Sequence, residues 1–359
     1  MYMDLSEVYN GKKVLITGDT GFKGSWLALW LHKLGAKVTG IGLDPKTARD
    51  NYVVCGLGSV ITHHVCDIRQ YDKIQKIFSA TKPDMVFHLA AQPLVSESYT
   101  SPRETFEINT QGTANILESI RHTQSVLAAV MVTSDKCYEN REGVYGYRET
   151  DPLGGHDPYS ASKGAAEIVI SSYIRSFFSK EGTPVISSAR AGNVIGGGDW
   201  SKDRIIPDFM RSLEERKSTV LRNPWAVRPW QHVLEPLYGY LLLGAKMIND
   251  GHSFSGAWNF GPLYRNCLTV EDLTRRFIER GKRGEMKIPE HRGNFHEAGF
   301  LSLDISKAVH QLGWHPVLEV DTMIQFTLDE YKVDDVSTVA VFDQRCAHID
   351  EYMSLQKRV

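Results

Sequence analysis

The sequence predicts an α/β protein: a doubly wound parallel sheet, followed by a smaller α/β lobe in the C-terminal half. Three observations carry that expectation. Short apolar runs alternate with helical periodicity from residue 12 to residue 190. The first run feeds directly into a glycine turn that opens a helix. After Ala189 the alternation loosens into shorter stretches rich in proline, tryptophan and arginine.

Residues 12–17, Lys-Lys-Val-Leu-Ile-Thr, predict a buried strand running into Gly18-Asp19-Thr20-Gly21-Phe22-Lys23-Gly24. Trp26, Leu27, Trp30, Leu31 and Leu34 then recur at helical spacing until Gly35 ends the helix. A second strand follows at 38–43. In such a turn Gly18 makes the bend, Gly21 admits a pyrophosphate close to the backbone, and Gly24 lets helix pack on strand. Thr20, Phe22 and Lys23 share the loop, where a helix N-terminus offers partial positive charge to phosphates.

Further strands are predicted at 60–65, 85–89, 126–133 and 185–189, with helices at 68–80, 102–122 and 160–180. Ligands of such sheets bind where strands end, and the ends fall at Gly18, Asp67, Ala90 and Ser134. Asp67-Ile68 and Leu89-Ala90-Ala91-Gln92 are therefore candidate cofactor contacts. Asp67 is also suited to cap a helix that begins at Ile68. The acid that holds an adenosine ribose usually ends the second strand. By spacing that place is Gly42, and the nearest acid, Asp44, either reaches the ribose or opens the Asp44-Pro45 turn. Arg49 stands close enough in sequence to leave a 2′-phosphate open, and with it the choice between NAD and NADP.

Beyond residue 190, helices are predicted at 206–216, 237–247, 269–279 and 306–312, with a strand at 219–221. The expected division is a cofactor-binding domain over 1–190, rejoined by about 229–262. Residues 191–228 and 263–359 then form mainly a substrate lobe. Periodicity across 333–359 is weak and places no element there. Asn193, Arg204, Arg228 and Arg292 are candidate substrate contacts; the three arginines offer forked donors that suit phosphate oxygens. His232, His291 and His296 lack metal-like spacing, so no metal is expected.

A net charge of -2 over 359 residues gives no electrostatic case for nucleic acid or an acidic membrane surface. Five scattered cysteines suit a reducing compartment. The first ten residues lack a signal-peptide pattern and no apolar run approaches membrane-spanning length. The expectation is a soluble cytoplasmic protein.

The chemistry concentrates in two short stretches, Thr133-Ser134-Asp135-Lys136 at a strand end and Tyr159-Ser160-Ala161-Ser162-Lys163 at a helix start. Four positions separate Tyr159 from Lys163, so both lie on one helical face. A lysine cation beside a phenol favours the phenolate, which makes Tyr159 a candidate base.

Thr17-Gly18-x-x-Gly21-Phe22-x-Gly24, His88-Leu89-Ala90-Ala91 and Tyr159-x-x-x-Lys163, in that order, resemble the extended short-chain dehydrogenase/reductase family over nearly the whole chain. Within it the chain is similar to the nucleotide-sugar 4,6-dehydratases. Relatives acting on dTDP-glucose or GDP-mannose carry Thr-Asp-Glu or Ser-Glu-Glu type acids after this strand, whereas here Lys136 holds the glutamate place. That departure resembles the CDP-glucose branch, as do Gly21-Phe22-Lys23-Gly24-Ser25-Trp26, His296-Glu297-Ala298 and Leu303-Asp304-x-Ser306-Lys307-Ala308.

The resemblance implies a Rossmann fold, NAD recycled within the site, and a nucleotide-sugar substrate whose diphosphate would meet those candidate contacts, Asn193 and Arg228 foremost, in deoxysugar (O-antigen type) biosynthesis. It implies a homodimer or homotetramer paired through helices 102–122 and 160–180. Tyr159, with Ser134 and Lys163, would take the 4-OH proton while the C4 hydride leaves. Asp135 and Lys136 would then divide C5 deprotonation from protonation of the departing 6-OH; the residues themselves leave open which is acid and which base. A 4-epimerase of the same fold needs Ser134, Tyr159 and Lys163 but not the Asp135-Lys136 pair. A non-catalytic cofactor-binding protein would have lost Tyr159 or Lys163, and both are present.

Overall fold

The structure, a computed structural model that describes residues 3–288, 299–332 and 337–358, is built on a seven-stranded sheet. Its strands are β1 (Lys13–Thr17), β2 (Lys37–Gly42), β3 (Thr62–Val65), β4 (Met85–His88), β5 (Ala128–Val132), β6 (Val185–Ala191) and β7 (Gly256–Phe260). They lie in the order β7-β6-β5-β4-β1-β2-β3, every pairing parallel. The winding reverses between β1 and β4, where Thr17 pairs with His88, and there the strand ends open a crevice.

Covering both faces requires apolar residues on both sides of each central strand, and β4, β5 and β6 are buried throughout. Val14 and Ile16 face one layer with Phe87 and Val130, while Leu15 faces the other with Val86, Ala129 and Met131. The first layer holds α1 (Phe22–Lys33). The second holds α2 (Tyr71–Thr81), α3 (Gly112–Arg121) and α4 (Pro158–Phe177). The C-terminal half adds α5 (Ile205–Glu214), α6 (Leu234–Asp250), α7 (Val270–Gly281), α8 (Val320–Tyr331) and α9 (Thr338–Gln356). Among the described residues no helix is long and apolar enough to cross a membrane.

Among the differences from the sequence expectation, which include the unpredicted helix α8, two are taken up because of what they hold in place. The helix expected over 102–122 is interrupted: Pro102–Phe106 leads into a wide five-residue turn, Glu107–Gln111, before α3 begins. Such widened turns recur at functional sites because they re-aim a side chain. Here Asn109 is turned so that its amide donates to the Gln92 carbonyl at 3.1 Å and to Ser162 Oγ at 2.9 Å. It ties the loop after β4 to α4.

The second is α9, in the stretch where the pattern placed nothing. It packs on α1 through Trp30 and Tyr352, with ring centroids 5.8 Å apart. It also closes on Glu330 of α8, which accepts from Gly197 N at 2.5 Å and contacts His348 Nδ1 at 2.9 Å. Gly197 admits this contact because a Cβ there would stand 2.3 Å from Glu330 Cβ.

Glu235 on α6 is buried beneath the same helix. It accepts from Val317 N (2.8 Å), Leu318 N (2.6 Å) and the Tyr352 hydroxyl (2.8 Å). Burial outweighs those bonds and pushes its carboxyl up to about 7. A carboxyl raised from an unfolded value of 4.5 contributes stability below that value and loses it as pH rises through 7. The swing is on the order of 3 kcal/mol. Glu235→Gln keeps the neutral form at all pH, so its melting temperature should match wild type at pH 5 and exceed it at pH 8. Equal melting temperatures at both pH values would refute this assignment.

Candidate active site

The site begins with two glycines that no other residue can replace at their positions. Gly18 has φ +78°, and a Cβ there would stand 2.8 Å from Ala90 N at the end of β4. At Gly24 a Cβ would stand 2.0 Å from the Gly18 carbonyl oxygen, so α1 rests directly on the turn. Thr20 Oγ1 donates to Leu43 O at 2.8 Å and fastens the loop to the end of β2.

Under the loop, Thr17 Oγ1 accepts from Ala90 N at 3.2 Å, so its hydroxyl proton goes to His88 Nδ1 at 2.6 Å. His88 then donates from Nε2 to Thr113 Oγ1 at 3.1 Å, and Thr113 donates to Asn109 O. Burial drives His88 down to about 3, with Lys163 adding to the effect. It is a neutral strut joining β1, β4 and α3.

Past the end of β5, Ser134 Oγ stands 3.0 Å from Asp135 Oδ1, able to turn its one proton there or to the Tyr159 oxygen, and accepts from Lys136 N at 3.2 Å. Lys136 Nζ stands 3.5 Å from the same Oδ1. Asp135 is 1 % exposed, and its second oxygen, Oδ2, has no hydrogen-bond partner. Helix α4 opens beside it with Asp157 as N-cap, accepting from Ser160 N at 3.0 Å, and Pro158 in the first turn. That start delivers Tyr159 and Lys163, both buried, to the β5 end.

Burial pushes the Tyr159 phenol up to about 12, against a hydrogen bond from Ser134 and the charge of Arg204. Lys163 is itself driven down to about 8 by burial, with Cys137 and then the charge of Glu167 opposing. One turn further along the same face, Glu167 accepts from Ser188 Oγ at 2.8 Å, from Arg190 Nη2 at 2.8 Å, and from Thr133 Oγ1.

Lys23, partly buried, is lowered to about 7 by desolvation and by the charges of Arg204, Lys163 and Lys136, while Asp135 opposes. Cations thus outnumber carboxylates where the glycine loop meets the β5 end. Together with the glycine cradle, this donor set fits the pyrophosphate of a dinucleotide. Arg204 is steadied by Asp199 at 2.9 Å. Arg49 lies 3.3 Å from the centroid of the Trp200 ring and pairs with Glu214, both from outside the cofactor loop. Its guanidinium is therefore engaged in joining the 44–50 segment to α5, which weakens the 2′-phosphate alternative and favours NAD.

The remaining candidates are distributed as follows. Leu89, Ala90, Ala91 and Gln92 follow β4, Gln92 N donating to Asn109 Oδ1 at 2.8 Å. Asp44 is exposed beyond β2, and the turn there is organised by Asp50, which accepts from Lys46 N (2.8 Å) and Thr47 N (3.1 Å). Asp67 does not cap a helix: α2 starts at Tyr71, and Asp67 holds Arg69 through N at 2.9 Å and Nη2 at 2.6 Å. Ile68 is buried against Gly112. Asn193 keeps a buried Oδ1 without a partner. Arg228 is buried and donates to Val227 O at 2.9 Å. Arg292, His291 and His296-Glu297-Ala298 lie outside the described residues. Among the described residues, no three His, Cys, Asp or Glu side chains are grouped to hold a metal.

Sequence reasoning missed Glu167, Asp199 and Asp19. Only Glu167 had a local signal, a lone acid at i+4 from Lys163. Asp19 is buried beneath the loop, with His63 Nδ1 at 2.7 Å. Gly40 and Gly42 make room for it, since a Cβ on Gly40 would stand 1.9 Å from Asp19 Oδ2.

Comparison with known proteins agrees with this geometry. A family model described as GDP-mannose 4,6 dehydratase matches residues 15–327. The chain is 46% identical over 312 residues to the CDP-glucose 4,6-dehydratase of Salmonella typhimurium, covering 86% of this chain and 87% of that one. It is 34% identical to the CDP-paratose 2-epimerase of Salmonella typhi, covering 88% and 98%. Among solved structures, the dTDP-glucose 4,6-dehydratase of Streptomyces venezuelae, with NAD and TYD bound, superposes with TM-score 0.76 at 23% identity, covering 90% and 97%. The UDP-glucose 4-epimerase of Thermus thermophilus, in complex with NAD, superposes with TM-score 0.77 at 24% identity, covering 90% and 100%. A cofactor cradle, a tyrosine and lysine on one helix face and an acid at the β5 end thus coincide with a family match over most of the chain, and the protein belongs to the nucleotide-sugar dehydratases of the extended short-chain dehydrogenase/reductase family.

Proposed function

We propose that the protein is a CDP-glucose 4,6-dehydratase, an NAD-dependent hydro-lyase that converts CDP-D-glucose into CDP-4-keto-6-deoxy-D-glucose and water. The observation that carries this reading is the Asp135-Lys136 pair beside Ser134 and Tyr159, supported by the relative that is 46% identical. When bound, NAD would supply the hydride acceptor at C4 and the hydride donor at C6. Tyr159 takes the 4-OH proton, its phenolate favoured by Ser134 and Arg204. The resulting ketone acidifies C5–H. Asp135 Oδ2, buried and without a partner, is the acid for the departing 6-OH, and Lys136 beside it is the base at C5. Asn193, Arg204 and Arg228 hold the diphosphate; Gly18, Gly21, Gly24 and Lys23 hold the cofactor pyrophosphate.

The division into a cofactor part (1–190 with 229–262) and a substrate lobe is supported by β7, which completes the sheet from outside the first 190 residues. A paired assembly is supported by Tyr99, Phe106, Ile168 and Phe177, large apolar side chains exposed on the segment before α3 and on α4. Sedimentation velocity measures it, a monomer refuting the pairing.

The deciding assay incubates the protein with CDP-glucose, dTDP-glucose and GDP-mannose and reads the alkali-induced absorbance of a 4-keto-6-deoxy product. Product from dTDP-glucose and none from CDP-glucose would overturn the base assignment. Asp135→Asn should lower turnover by about 10²–10⁴-fold while reduced cofactor accumulates, because oxidation proceeds and elimination does not. A 4-epimerase would retain most of its activity.

A further inference from the structure

Four buried polar atoms close to the site lack partners: Asp135 Oδ2, Asn193 Oδ1, Gln231 Oε1 and Tyr240 OH. Buried polar groups are nearly always satisfied, so neighbouring exceptions point to a shared partner. The positions of three of them converge. The register places Val132 of β5 beside Ala189, and Ala191 of β6 beside Phe260 of β7. Asp135 and Gly192 follow those strand ends, and a Cβ on Gly192 would stand 3.1 Å from Asp135 Oδ2 and 2.8 Å from Pro229 Cγ. Gln231 follows Pro229 by two residues; its Nε2 donates to Phe260 O at 3.2 Å, which leaves Oε1 free.

Tyr240 reaches the same place from below. It lies on α6, packed under β5 and β6, with its ring 5.5 Å from that of Phe260 in an edge-to-face contact. Long side chains on a helix point back toward its N-terminus, which directs the Tyr240 hydroxyl toward the strand ends. The Asp135 charge is felt at Tyr240, which burial and that charge together drive well above the usual tyrosine range. Among the described residues Asp135 is the only charged group so felt there.

We propose that Tyr240 and Gln231 form a polar floor beneath Asp135, holding one water between the Tyr240 hydroxyl, Gln231 Oε1 and Asp135 Oδ2, and that Tyr240 is a positioning residue for the elimination step. A buried water needs two to four polar partners, and these three supply them. Through it the Tyr240 hydroxyl fixes the direction of Oδ2 and stabilises the carboxylate left after Asp135 gives up its proton. The inference rests on the dehydratase reading above.

The test is Tyr240→Phe, which removes only the hydroxyl from a ring that is fully buried. With wild type shown to form the 4-keto-6-deoxy product, single-turnover absorbance should show reduced cofactor appearing at the wild-type rate. Its decay should be slowed by about threefold to tenfold, the loss of one hydrogen bond. KM for the nucleotide sugar should not move, since Tyr240 is not one of the diphosphate contacts. A purely structural Tyr240 predicts an equal or higher melting temperature and unchanged decay, and unchanged decay overturns the proposal. Absence of product from wild type with every nucleotide sugar instead refutes the dehydratase reading.

Discussion

Tyr159→Phe should lower turnover by about three orders of magnitude with no reduced cofactor formed. The phenol oxygen is the only atom lost, and the ring is buried, so the fold and cofactor binding should be retained. The absence of reduced cofactor separates this variant from Asp135→Asn, which blocks later. Accumulation of reduced cofactor in Tyr159→Phe would remove Tyr159 from the oxidation step. The pH dependence follows from what surrounds the phenol. Burial holds Tyr159 at about 12 in the ligand-free protein, and Ser134 opposes that rise. Since the base form is required, activity is lost as pH falls through this group's value in the complex. Ser134→Ala removes an acidifying bond, so the acidic limb of the pH–rate profile should move to higher pH. A limb displaced to lower pH would contradict the assignment.

The parts of this site legible in sequence were those whose geometry is local. Gly18, Gly21 and Gly24 act within one turn, and Tyr159 and Lys163 within one helical turn, so spacing alone conveys their relation. The doubly wound sheet was legible for a similar reason, since each buried strand is a short apolar run with a helix after it. Asp19 was not legible because its partners, Gly40, Gly42 and His63, sit on two other strands. Helix α9 escaped notice because its inner face mixes Val341, Ile349 and Tyr352 with Arg345, His348 and Gln356. Half of that face is polar and satisfied by Glu330, Asn51 and Tyr352, so no apolar stripe marks it. The break before α3 was hidden because Glu107–Gln111 carries no proline or glycine; only Asn109's bonds across to Gln92 and Ser162 reveal its purpose.

The state of Lys163 is the instructive part of its pair with Tyr159. Spacing puts both on one face, but it does not show what sets the charge of the lysine. Lys163 is buried enough to lose part of its own charge near pH 8, and Cys137 and Glu167 oppose that loss. Sequence shows the stripe Tyr159, Lys163, Glu167; only the packing shows that the third member steadies the second.

That support makes Glu167→Ala the second large prediction. Glu167 and Arg190 pair at 2.8 Å with side chains 3 % and 4 % exposed. Removing the carboxylate leaves a buried guanidinium without its counter-charge, which costs about 3–5 kcal/mol. Against a typical total of about 5–15 kcal/mol, chemical denaturation should show a markedly lower midpoint or no folded protein. Pairing the change with Arg190→Met removes the stranded charge, so the double variant should recover most of the loss. Glu167→Gln is the milder change: it keeps the shape and, with its amide oxygen toward Ser188 and Arg190, an acceptor for both, while its NH2 faces Thr133 Oγ1. It also removes the negative charge that opposes Lys163 deprotonation, so Lys163 should fall below about 8. A lysine cation is lost as pH rises through its own value. The alkaline limb of turnover in Glu167→Gln should therefore move to lower pH, with the acidic limb unchanged. An unmoved alkaline limb would confine Glu167 to a structural role.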